Sequence, residues 1–168
     1  MIERSGDGYR IILDETSRDV LATVLGELRD EIATGHGDHV KRLFPTAYHS
    51  DARADEEYQR LMRDDLAASH LASVTTTVDL LKRNDALGFD DVDVLMRALN
   101  ATRLVLGTIL DVSENDLLDD GSDGDERSAP GHDDTGEDPL RDHRRLYAFL
   151  GWALGHTLEV LSAGPTGR

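Results

Sequence analysis

A chain of 168 residues with 39% hydrophobic side chains has room for one domain with a sizeable core, and three Phe, four Tyr and one Trp make that core mainly aliphatic. The formal net charge is −16, but eleven acids against one arginine fall in residues 113–138, which leaves −6 for the rest; this acidity opposes direct binding to phosphate backbones. There is no cysteine, which excludes disulfides, thiolate nucleophiles, thiolate metal ligands and thiol redox switching.

In chain order, residues 2–4 and 9–13 are short β-type runs around Ser5-Gly6-Asp7-Gly8, a strong turn signal that predicts a small N-terminal hairpin. Asp14 or Thr16 then caps a first helix, Thr16 and Asp19 having capping-box spacing. Val20, Leu21, Val24, Leu25, Leu28 and Ile32 form its apolar stripe, and Gly35 and Gly37 stop it. A short helical turn over 40–45 ends at Pro45. A long helix is expected over residues 55–83, although the β-branched run 74–78 weakens its propensity and allows a break there. Gly88, with Asp90 or Asp91 as cap, precedes a third helix over 91–111. Residues 104–110 are apolar nearly all round, so this helix is expected at the centre. The acidic segment 113–138 holds only two leucines and reads as a disordered loop. Asp138-Pro139 then opens a last helix that runs to Ser162. The expected architecture is mainly α: a single domain, residues 1–168, with about four main helices, a small hairpin and a disordered acidic loop. The chain shows no charged-then-apolar leader pattern and no apolar run of bilayer length, so a cytoplasmic protein is expected.

The third helix carries the most informative feature. Met96, Leu99, Leu106 and Leu110 share one face, and Arg103 falls in the same series. A guanidinium stays charged and is costly to bury, so it requires a carboxylate or several carbonyls. Asn100 at i−3 and Gly107 at i+4 complete what reads as a structural polar pocket. Glu57, Asp64 and Asp65 of the second helix are the expected partners, and breaking such a buried pair costs roughly 3–5 kcal/mol.

No catalytic or cofactor signature accompanies this pocket, and no cofactor or metal is expected. The run Asp119-Asp120-Gly121-Ser122-Asp123-Gly124-Asp125-Glu126 puts glycine and serine at ligand positions of a calcium-loop frame. His36 and His39 lack a third ligand nearby. His70 reads as a hydrogen-bonded structural histidine. Gly-x-Ser-x-Gly, Walker and Rossmann patterns are absent.

In the last helix, Leu146, Leu150, Leu154, Thr157 and Leu161 line one face, while Phe149, Trp152 and Val160 project from another. Gly151 and Gly155 have Gly-x-x-x-Gly spacing, which permits close helix approach. Tyr147, Phe149 and Trp152, beside Arg141, Arg144 and Arg145, are the candidate partner interface, because aromatics concentrate at interface hot spots. Phe149 and Trp152 are covered either by a second element of the same domain or, on the sharper reading, by another protein or a second copy of the chain.

Four stretches carry a family resemblance: LFPTAY (43–48), EYQRLMRDDL (57–66), LNATRLVLGTILDV (99–112) and LYAFLGWALGHTLEVL (146–161). Together they resemble an actinobacterial domain-of-unknown-function family also labelled the AosR oxidative-stress regulator family. The resemblance implies gene neighbours that encode a Clp-protease adaptor, a JAMM-type metallopeptidase, a small sulfur-carrier protein and a cysteine synthase. It also implies a protein that does not bind DNA and cooperates with a sigma factor in redox and sulfur metabolism. Cysteine-based sensing cannot operate in this cysteine-free chain. Two readings follow. One is a non-enzymatic regulator or adaptor that works through protein partners, a sigma factor or a Clp-related protein by resemblance. The other is a helical ligand-binding module or enzyme that uses the pocket around Arg103.

Overall fold

The computed structural model describes residues 1–34, 37–83, 85–111 and 140–163. The segment 113–138, expected as a disordered loop, lies outside these residues, as do Gly35 and His36. Strands β1 (Ile2–Ser5) and β2 (Gly8–Ile11) pair antiparallel with Ile2 opposite Ile11 and Ser5 opposite Gly8. Gly6 in the connecting turn has φ +61°, a left-handed conformation that glycine adopts without a steric penalty. Alternation buries Ile2, Tyr9 and Ile11 and leaves Glu3 and Arg10 outside as an ion pair at 2.6 Å.

Helix α1 (Glu15–Thr34) is capped by Asp14 rather than Thr16. The Ser17 N–H and hydroxyl both donate to the Asp14 carboxylate, at 2.8 and 2.9 Å, and hold its carboxyl below the ordinary range. Arg18 donates to the carbonyls of Leu13 and Ile11, which ties the helix to the hairpin. A 3-10 turn, Asp38–Leu43, buries Val40 and Leu43 ahead of Pro45.

Helix α2 (Ala52–Arg83) starts three residues earlier than its sequence pattern implies. Asp51 caps it, accepting the Ala54 N–H at 3.0 Å. The Asp55 carboxylate instead receives the N–H groups of Ala47 and Tyr48, at 2.7 and 3.2 Å. The helix is continuous through its β-branched run, because Val74, Thr77 and Val78 are buried there and packing outweighs propensity.

Helix α3 (Phe89–Ile109) begins after Gly88, whose N–H donates to the Asp91 carboxylate at 2.8 Å. It is the central element and packs on α1, α2, the 3-10 turn, β2 and α4 (Arg141–Ser162). The buried hydroxyls of Thr102 and Thr157 donate to the carbonyls of Ala98 and Ala153, one helical turn back, so neither is left unsatisfied. Tyr9 and Leu87 exchange backbone hydrogen bonds of 2.9 and 2.8 Å, which clamp the hairpin to the connection before α3. The fold is thus a mainly α bundle of four main helices with a small N-terminal antiparallel hairpin. Among the described residues no helix is long and apolar enough to cross a membrane.

Two glycines should respond oppositely to alanine in urea denaturation. A Cβ at Gly8 lies 2.5 Å from the Leu87 carbonyl oxygen, so Gly8→Ala should destabilise by about 1–3 kcal/mol. A Cβ at Gly155 meets nothing within 4 Å, so Gly155→Ala should stabilise by up to about 1 kcal/mol through helix propensity.

Candidate functional site

Arg103 is not paired as its sequence context predicts. Its guanidinium carbon sits 4.7 Å from the centre of the Tyr147 ring, and its Nε is buried with no hydrogen-bond partner. The expected carboxylates are elsewhere. Glu57 pairs with Arg60 at 2.7 Å, Asp64 and Asp65 are exposed, and Asn100 is exposed on the outer side of α3. The physical reason lies in what the first half of α2 does. Asp55, Tyr58, Gln59 and Arg63 hold the segment after the 3-10 turn, and His70 holds the last residue of the turn itself. Gln59 donates to the Pro45 carbonyl at 2.9 Å, Arg63 lies 4.1 Å over the Phe44 ring, and the His70 ring nitrogen is 3.3 Å from the Leu43 carbonyl. Arg103 instead faces α4.

The glycines of this crossing accommodate large side chains rather than backbone. A Cβ at Gly107 would lie 3.1 Å from Arg42 Nη1 and 3.4 Å from Tyr147, and one at Gly151 would lie 3.6 Å from Arg103 Nε. Each helix therefore offers a glycine to a bulky side chain of the other, and the inverse order of these two contacts shows that α3 and α4 run antiparallel. This corrects the Gly-x-x-x-Gly reading: Gly151 makes room for Arg103, and Gly155 faces open space.

A concavity lies between α1 and α4, both of which pack on α3. It is a groove of about 550 Å³ whose floor is Val20, Leu21 and Val24 from α1 with Leu146 and Phe149 from α4. Thr16, Ser17, Asp142, His143 and Arg145 form its polar margin. Val20 is 54% exposed. Phe149 is half-buried, and its ring centre is 5.8 Å from that of Trp152, which is 53% exposed. Trp152 stacks in turn on His156, whose ring nitrogen is 2.9 Å from the Ile2 carbonyl, so the exposed indole rests on a fixed support. Of the candidate interface residues, Phe149 and Trp152 thus share this face, whereas Tyr147 turns towards Arg103. Sequence reasoning missed Val20, Val24 and Leu146 as groove residues. The available signal was the width of the α1 stripe, since only Leu21, Leu25, Leu28 and Ile32 are fully enclosed.

A smaller recess of about 130 Å³ adjoins the groove where Glu27 and Glu31 of α1 approach His143, whose Nδ1 is buried and unpaired. Among the described residues no three His, Asp or Glu side chains are grouped to hold a metal. His39 is exposed in the 3-10 turn.

Compared with known families, the chain matches the model described as Domain of unknown function (DUF2017) over residues 1–161, and it belongs to that family. Comparisons with curated proteins and with solved structures gave no match.

Because Arg103 is stacked rather than ion-paired, Arg103→Met should change stability by less than about 1 kcal/mol in thermal or urea melts. A loss of the size expected for a broken buried pair, roughly 3–5 kcal/mol, would show a carboxylate partner after all.

Proposed function

We propose that this chain is a non-enzymatic interaction protein, a cytoplasmic regulator or adaptor that engages other proteins through the α1–α4 face. The observation that carries the reading is the pair Phe149 and Trp152 beside the apolar groove, with an indole more than half exposed. A large amphipathic ring that is held rigidly and left uncovered is the kind of group on which interface energy concentrates. The resemblance to the actinobacterial AosR oxidative-stress regulators supplies the finer proposal: a role in oxidative-stress and sulfur-metabolism transcription, with a sigma factor or a Clp-related protein as partner. Action through protein contact rather than direct contact with DNA accords with the net charge of −16.

The test is capture from lysate by immobilised wild type and by Trp152→Ala. The variant should lose capture while its stability changes by no more than about 1 kcal/mol, the size of an aromatic pair contact. Undiminished capture by a folded variant would overturn this use of the face.

A second reading, a ligand-binding module or enzyme that uses Arg103, is favoured by one observation. The guanidinium has no carboxylate partner among the described residues and lies on an aromatic ring, an arrangement suited to an anion. Citrate or inorganic phosphate should then raise the melting temperature of the wild type and not of Arg103→Met; no rise with either would remove this reading.

A further inference from the structure

We infer that the groove between α1 and α4 is filled by the same face of a second copy of this chain, so that the protein is a two-fold homodimer. This rests on the protein-binding reading above and names its partner. A two-fold interface is made by one patch meeting itself, so the patch must carry both a protrusion and a recess, and both signs of charge.

The α1–α4 face carries all of these. The recess is the apolar floor of Val20, Val24, Leu146 and Phe149, and the protrusion is Trp152, packed against Phe149 at its edge. Acids dominate the α1 side and arginines the α4 side, where Asp142 is the one acid at the groove's margin. On α1, Glu27 and Glu31 continue the stripe of Val20 and Val24 at helical spacing; on α4, Arg141 and Arg145 precede Phe149 and Trp152 on the same stripe. Among the described residues none of these four charged groups is in an ion pair, although four other pairs form on the surface. A two-fold axis through the groove lets each copy's Trp152 enter the other's recess while its arginines meet the partner's glutamates. A face of uniform sign would instead repel itself. The net charge of −16 opposes self-association, but ten of those charges lie in 113–138, and physiological salt screens interactions beyond about 8 Å.

The experiment is light scattering after size exclusion on the full chain across a wide concentration range at physiological salt. The expected mass is that of two chains. Trp152→Ala and Val20→Glu, each confirmed as folded by circular dichroism, should halve it. Arg141→Glu/Arg145→Glu and Glu27→Lys/Glu31→Lys should each be monomeric alone and form a mixed dimer when combined, which neither a folding defect nor a foreign partner would produce. A wild-type mass of one chain throughout overturns the proposal. So does a dimer unmoved by Trp152→Ala and Val20→Glu, or one that the combined charge variants fail to restore. If the wild type is monomeric yet Trp152→Ala loses lysate capture, the dimer fails and the protein-binding reading stands.

Discussion

Helix α3 has to be covered on more than one side. Nine of its 21 residues are buried, over more than half of its circumference, and Phe89, Asp90, Asp93, Arg97 and Asn100 mark the exposed side. Exposed apolar surface costs about 25 cal/mol per Å², so the other elements are arranged by the need to cover it. The second half of α2, the 3-10 turn, α1, α4 and β2 all lie against it. Helices spread around a central rod cannot also close on one another everywhere. The groove between α1 and α4 is where that closure fails, and the candidate site is a consequence of how the core is covered.

The contact between α3 and α4 shows how composition and position combine. Gly107 and Gly151 sit opposite Tyr147 and Arg103; a Cβ at Gly107 would press on Arg42 Nη1, whereas one at Gly151 would meet Arg103 Nε at ordinary contact distance. Arg103 is thereby held on Tyr147 with its Nε enclosed, an arrangement that leaves a buried donor unpaired and that packing must offset. The stretches 99–112 and 146–161 are thus two sides of one contact. The other two motif stretches are also paired, since residues of 57–66 hold the segment 43–48 through Gln59 and Arg63. Both associations are tertiary.

Much of the fold was legible in the chain. Apolar periodicity marked four helices, the Ser5–Gly8 turn marked the hairpin, and the apolar circumference of residues 104–110 marked α3 as central. Caps were less legible: Asp14, Asp51 and Asp55 are alike locally, yet only the first two close helices, while Asp55 serves a loop eight residues upstream. The site was half legible. Phe149 and Trp152 stood out because α4 carries more apolar residues than one face requires, whereas the groove beneath them needed α1, which is more than a hundred residues distant in sequence.

Sequence alone determined which residues are helical and which sides are apolar, because those properties follow from local periodicity and propensity. It also determined that the chain carries no thiol chemistry and a large negative charge. Only the tertiary structure decided which carboxylate, ring or carbonyl each side chain meets. An arginine on an apolar helix edge needs compensation, but the choice between a carboxylate of α2 and an aromatic face of α4 depends on the rotation of α3 among its neighbours. That rotation is set by the summed burial of many side chains, Gly107 and Gly151 included, and no single residue reports it.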